Sequence, residues 1–208
     1  MKEYYDTRAP EYDEWYLGQG RFAERERPGW TEAVAKLERA IDALPAARTL
    51  DVACGTGFLT RHLRGEVTGF DQSEQMLEIA RRRLPGADFV CGDALELPFG
   101  ADSFTRIFTA HFYGHLVQPE RGGFVSQAWR IAPELVVVDS ALRPDHAAEE
   151  HQERVLNDGS RFEVYKRYFD AHALAGELGG GRVIHESPWF VVVSASRPGA
   201  DAPADRLH

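Results

Sequence analysis

Cysteine is scarce in this sequence: among 208 residues only Cys54 and Cys91 occur, each at the end of an apolar run. A disulfide framework and a cysteine-based zinc site are therefore not expected, and both thiols read as buried and reduced. The eight histidines form no metal-type pairing with Cys or Glu, so no metal is expected; His111 and His115 are the one pair at a four-residue spacing. No apolar run approaches a membrane span, and residues 1–6 lack the apolar stretch of a secretory signal, which makes the cytoplasm the default location. Positive charge is also short, with 24 Lys and Arg against 33 Asp and Glu and a formal net charge of −9. A nucleic-acid backbone is a poor partner for such a chain, because that binding draws on clustered Lys and Arg. A small-molecule substrate is the better expectation, served by a monomer or homodimer. The length suits one core and is short for two ordinary domains with linkers.

Against these absences, residues Leu50-Asp51-Val52-Ala53-Cys54-Gly55-Thr56-Gly57 stand out. An apolar strand runs into an acid and then a Gly-x-Gly turn, where two glycines let the backbone approach a ligand closely. A helix opening at about Phe58 would aim its free N–H groups at the ligand's polar end. A dinucleotide loop calls for a third glycine three residues after the second, and Thr60 stands there instead, which disfavours a nicotinamide or flavin cofactor. Asp71 ends a second apolar-biased run, placed to meet a ribose diol, and Asp93 ends a third, where a carboxylate can accept the exocyclic amine of an adenine. Taken singly, Asp51 or Asp71 reads as a helix cap or turn acid.

With three acids at three successive strand ends, the chain resembles the class I methyltransferases that use S-adenosylmethionine, over residues 4 to 197. The resemblance implies that Asp51, Gly55, Thr56 and Gly57 hold the methionine part and that Asp71 and Gln72 bind the ribose. Asp93 and Ala94 would hold the adenine, Met76 would lie against its face, and Ala110 would complete the cofactor set. The product would be S-adenosylhomocysteine. Residues 1–20 resemble the lid of small natural-product methyltransferases, in which Tyr5 or Tyr12 would cover the sulfonium and Arg8 would reach the cofactor carboxylate. Tyr4, Trp15 and Tyr16 read instead as core packing.

The alternation of elements predicts an α/β, Rossmann-like doubly wound fold with a mostly parallel seven-stranded sheet, an antiparallel C-terminal hairpin and an N-terminal helical lid. Trp30, Val34, Leu37, Ile41 and Leu44 recur at helical spacing before Pro45. Strands are expected at 48–53, up to Asp71, up to Asp93, and at 106–112, with helices at 73–84 and 121–131 between them. The run Leu135-Val136-Val137-Val138 reads as a strand buried on both faces. Beyond it the pattern predicts a polar helix at 145–156, a turn at Asn157-Asp158-Gly159, an extended segment 161–169, a helix 171–178 and strands 182–186 and 189–196. Residues 1–197 form one expected domain and 198–208 a disordered tail.

Ligands in such sheets bind beyond the carboxyl ends of the strands, which places His111 and His115 on the substrate side. Four apart, they would share a helical face, and either could take a proton from a hydroxyl at neutral pH. A histidine at the position of His115 also commonly only packs beside the cofactor in this family. An oxygen acceptor is expected, with nitrogen as the alternative and a nucleotide-linked oxidoreductase or a non-catalytic cofactor binder as remoter readings. An acceptor already ionised at pH 7 would need cations rather than a base. A closer likeness, to the branch of the family that methylates a phosphonate in dehydrophos biosynthesis, rests on the lid, Ala110-His111 and the segment from Arg154 to Lys166. It implies that Arg154 and Lys166, with Tyr5, contact an anionic substrate. By itself, Lys166 beside Arg167 on a strand is an ordinary solvated pair.

Overall fold

A computed structural model describes residues 1–144 and 147–199. Its sheet has seven strands in the order β3-β2-β1-β4-β5-β9-β8. These are β1 (Ala47–Val52), β2 (Gly65–Asp71), β3 (Asp88–Cys91), β4 (Arg106–Ala110), β5 (Glu134–Ser140), β8 (Arg182–Glu186) and β9 (Phe190–Ser196). The β2–β3, β1–β2, β1–β4 and β4–β5 pairs are parallel, while β9 runs antiparallel to both β5 and β8. The chain winds outward from β1 in one direction and from β4 in the other, so their carboxyl ends flank the switch point where such sheets bind ligands.

Helices cover both faces. On one, α3 (Trp30–Asp42) turns Trp30, Val34, Leu37 and Ile41 onto Phe108, Val136, Val138 and Val192. On the other, α5 (Gln118–Ile131) and α6 (Ala171–Glu177) cover Ile107, Leu135, Val137 and Val191. Alternate residues of Leu135-Val136-Val137-Val138 thus serve opposite cores, which is why β5 reads as an unbroken apolar run. Between β2 and β3, α4 (Glu74–Arg83) begins where the Ser73 hydroxyl accepts the Met76 N–H.

Two expectations give way. Only a 3-10 turn, Thr60–His62, follows the glycine loop before β2 begins at Gly65, because too few residues separate them for a helix. The helix expected over 145–156 is a strand: β6 (Glu149–Val155) pairs antiparallel with β7 (Arg161–Arg167) in a separate two-stranded sheet. Residues 149–155 alternate between exposed and half-buried along most of their length, the two-residue period of a strand. The first part of that expected helix, residues 145 and 146, lies outside the described residues, as does the expected disordered tail from residue 200 onward. No helix among the described residues is long and apolar enough to cross a membrane.

The N-terminal segment, α1 (Lys2–Arg8), a 3-10 turn and α2 (Glu14–Leu17), crosses the carboxyl ends of the strands. Tyr4 packs with Leu156, Val164 and Phe162 of the β6–β7 sheet and its turn, and Tyr16 stacks flat on Phe58 at 4.2 Å. Tyr4 and Tyr16 are buried as expected. Asp13 ties the segment to the glycine loop: its Oδ1 accepts the Thr56 hydroxyl at 2.6 Å and its Oδ2 pairs with Arg83, which also donates to the Thr56 carbonyl. On the other side, Asn157 at the β6–β7 turn donates from its backbone to Glu11 and from its side chain to Glu14.

Candidate active site

Beyond β1, β2 and β4 lies an inner crevice walled by Ala53, Gly55, Asp71, Gln72, Met76, Asp93, Ala94, Ala110, His111 and Phe112, and covered by Tyr5 and Tyr12 of the N-terminal segment. Asp71 is buried at the end of β2, its Oδ2 accepting from Gly55 N and its Oδ1 from Ser73 N, both at 2.9 Å. Burial nonetheless raises its pKa above the usual carboxylate range. Asp93 accepts from Leu95 N at 2.9 Å and stays exposed at the rim. Gly55 has φ +55°, and a side chain there would be strained against the backbone.

Asp51 sits deeper, in a small adjoining recess with Ala53, Thr60 and Ala110. Its Oδ2 accepts the Thr60 hydroxyl at 2.6 Å, while its Oδ1 is buried without a partner. Burial, reinforced by the charge of Asp71 and opposed by the Thr60 hydroxyl, pushes the Asp51 pKa up to about 7. Thr60, read in the sequence as a missing glycine, is thus the group that orients this acid. Two residues expected to hold the cofactor lie off the crevice wall. Thr56 is committed to Asp13, and Gly57 backs onto Ala80 of α4, so neither walls the inner crevice.

Tyr5, Tyr12 and His111 also wall a second, outer cavity of about 420 Å³. Among the described residues its cations are Arg8, Arg25, Arg27, Arg143, Arg154 and Lys166, and Glu26 is the one acid on its wall. Trp15, Trp30 and Trp189 supply aromatic surface, with the Arg27 guanidinium 3.9 Å from the Trp30 ring centre and that of Arg143 4.2 Å from the Trp189 ring centre. Trp15, expected in the core, packs against it through Tyr16, Trp30 and Phe190 and also faces this cavity, its ring centre 4.9 Å from that of His111. Arg8 lies over the Tyr12 ring and donates to the Tyr4 hydroxyl, and Arg154 keeps a buried Nε without a partner.

Lys166 is buried rather than solvated. Its Nζ donates to Asp139 Oδ1 at 2.5 Å, and the same carboxylate accepts from Gly114 N and Ser140 N. Burial opposes the charge on Asp139, but the Lys166 ammonium outweighs it and holds the carboxyl below its usual pKa. Gly114 allows this closeness, since a Cβ there would meet the Arg167 carbonyl at 2.6 Å and crowd the Lys166 ammonium.

His111 and His115 do not share a helix. His111 ends β4 in the left-handed region at φ +55°, and His115 closes a 3-10 turn, yet both reach the outer cavity. Burial drives each pKa down to about 3, so both rings are neutral at pH 7. The His115 Nδ1 is 2.7 Å from the Tyr165 carbonyl and must donate to it, which leaves Nε2 as the lone-pair nitrogen. Neither His111 nitrogen has a hydrogen-bond partner among the described residues, and Nδ1 faces Asp139 Oδ1 at 3.9 Å.

Ala53, Phe112, Trp15, Arg25, Arg27 and Asp139 were not foreseen. Ala53, at φ +59°, sits within the quoted loop but is not a glycine, and Asp139 ends the apolar run of β5 as Asp51 and Asp71 end theirs. That repeated strand-end acid was the available signal. Cys54 is buried as expected, whereas Cys91 is exposed.

Residues 49–133 match the model of a methyltransferase domain family. Among curated proteins, the biotin biosynthesis bifunctional protein BioHC of Cellvibrio japonicus is 38% identical over 125 residues, covering 53% of this chain and 24% of that protein. The demethylmenaquinone methyltransferase of Clavibacter sepedonicus is 40% identical over 90 residues, covering 40% of this chain and 37% of that protein. The chain therefore spans well under half the length of these two relatives. Two solved structures match over nearly the whole fold. The DhpI–SAH complex gives a TM-score of 0.69 at 27% identity, covering 94% of this chain and 95% of that one. The DhpI–SAM–HEP complex gives 0.70 at 25%, covering 92% and 94%.

Proposed function

We propose that the chain is a class I S-adenosylmethionine-dependent methyltransferase that transfers the cofactor's methyl group to an oxygen of an anionic small molecule, a reading supported by the methyltransferase-domain match over residues 49–133 and by the likeness to the DhpI–SAH complex. The observation that carries this reading is the adjacency of the two cavities: the crevice of strand-end acids shares Tyr5, Tyr12 and His111 with a cavity walled, among the described residues, by six cations and one acid.

The inner residues suit the cofactor. Asp71 would take the ribose hydroxyls on lone pairs its backbone donors leave free, and Met76 and Ala94 would wall the adenine beside Asp93. The unpartnered Oδ1 of Asp51 would meet the ammonium of the methionine part. When bound, S-adenosylmethionine supplies a sulfonium methyl group open to in-line displacement.

An acceptor oxygen ionised at pH 7 needs alignment and a dry site rather than a base. Arg154 and Arg8 attract and orient it, and the Lys166–Asp139 pair fixes the wall beside it. Held by Arg8 and Arg154, that oxygen would take the methyl group as its bond to sulfur broke, leaving a neutral ester and a neutral thioether. The neutral His115 Nε2 can accept a hydrogen bond from a proton the acceptor retains, and His111, on the wall the two cavities share, has both nitrogens available.

Incubating the chain with S-adenosylmethionine and a panel of small phosphonates, phosphates and carboxylates should release S-adenosylhomocysteine, and neutral alcohols and amines should not. Turnover confined to alcohols or amines would overturn the anionic reading. With an accepted anion, His111→Ala and His115→Ala should each keep turnover within about tenfold, whereas a loss of about 10²-fold or more would mark a general base.

A further inference from the structure

Resting on the anionic-acceptor reading, we propose that the acceptor carries a second anionic group, which is not methylated and is held by Arg25 and Arg27 away from the cofactor.

The argument begins with charge. Of the six cations on the outer cavity wall, Lys166 is matched by Asp139. Arg8, Arg25, Arg27 and Arg154 have no carboxylate within salt-bridge distance among the described residues; Glu26 is the one described acid on this cavity's wall, while Glu11 and Glu153 face Arg8, Arg25 and Arg154 from an adjoining pocket. Three of the four, Arg8, Arg27 and Arg154, are half-buried, where an unmatched charge is costly. Arg25 lies close enough to Arg154 and Arg8 to feel the charge of both. The sulfonium would add one more positive charge. A single anionic oxygen offsets one of these and is lost as a charge when it is methylated, so one anion leaves the cavity strongly positive both before and after the reaction.

Placement gives the second seat. Arg8 and Arg154 come from α1 and β6, whereas Arg25 and Arg27 come from the loop that leads into α3; Arg25 borders Arg8 and Arg154, and Arg27 is the member of the loop that feels the charge of Arg25 but not of those two. Arg27 is held in place: it donates to the Trp15 and Phe22 carbonyls and lies over the Trp30 ring. A guanidinium fixed this way has already lost its rotamer freedom and binds an anion at less entropic cost. The cavity's 420 Å³ is within the range of cavities that hold drug-sized ligands, and more than a lone phosphonate or carboxylate fills.

The test is calorimetry on the full chain saturated with S-adenosylhomocysteine, titrated with methylphosphonate, 3-phosphonopropionate and 4-carboxyphenylphosphonate. At least one of the two-headed probes should bind ten-fold or more tighter than methylphosphonate. Arg25→Gln and Arg27→Gln, each checked by thermal unfolding, should shrink that gain to within about two-fold, and Arg25→Lys should keep most of it. Arg154→Gln should weaken all three probes. If methylphosphonate binds and neither two-headed probe binds tighter, or if the gain survives both Gln substitutions, the second seat is overturned and the anionic-acceptor reading stands. If none of the three binds, both fall.

Discussion

Asp51 is the residue where stability and function pull apart. Its raised pKa means that the folded state holds the proton more tightly than the unfolded chain does. The resulting stability is fully present below the ordinary aspartate pKa and is lost as pH rises through about 7. Asp51→Asn should therefore match the parent in urea unfolding near pH 4 and exceed it at pH 8 by on the order of a few kcal/mol, while S-adenosylhomocysteine binding weakens. Lys166 makes a different kind of test. Removing it strands Asp139 as a buried, uncompensated charge, so Lys166→Ala should cost about 3 to 5 kcal/mol in urea unfolding, and adding Asp139→Asn should recover much of that loss. Arg154→Ala, with no ion pair to break, should show its loss in acceptor binding and little in stability.

Among the elements, the N-terminal segment is held by aromatic packing through Tyr4, Trp15 and Tyr16 and by two sets of polar ties. Asp13 joins it to Thr56 and Arg83, and Asn157 joins it to Glu11 and Glu14. Asp13→Ala should speed proteolysis near Tyr16 in the free chain, and saturating S-adenosylhomocysteine should restore protection; identical cleavage with and without cofactor would show that this segment is no lid. The strands of the main sheet were legible because period and punctuation agreed: β5 is an apolar run buried on both faces, and β2 ends on its acid. β6 was misread because Glu149-Glu150-His151-Gln152-Glu153-Arg154 is polar along its whole length. Such a strand declares itself only through its partner, here the better-marked β7. The acids of the inner crevice could be read from their positions at strand ends, but Trp15, Arg25, Arg27 and Trp30, from a short helix, a loop and a helix start, meet Trp189 of the distant C-terminal hairpin only in the fold. No local pattern announces that meeting.

Across the whole molecule, two buried neutral histidines set the acid limit. Each has its pKa lowered to about 3, so the unfolded chain binds protons there that the folded one refuses. Their contribution to stability is intact above the usual histidine pKa of about 6.5 and is lost as pH falls toward 3, at up to about 1.4 kcal/mol per pH unit for each. Thermal unfolding followed from pH 7 down to pH 4 should fall less steeply for His111→Phe than for the parent.

Tyr5 and Tyr12 are walls common to the inner crevice and the outer cavity. If these cavities hold cofactor and acceptor as proposed, one pair of rings would close over both products, and departure would be a step separate from chemistry. A rapid-quench experiment on an accepted anion should show a burst of S-adenosylhomocysteine near one equivalent of enzyme, followed by a steady rate that changes little from one acceptor to the next. Replacing Tyr5 by a smaller side chain should flatten the burst, because turnover would no longer wait on the gate.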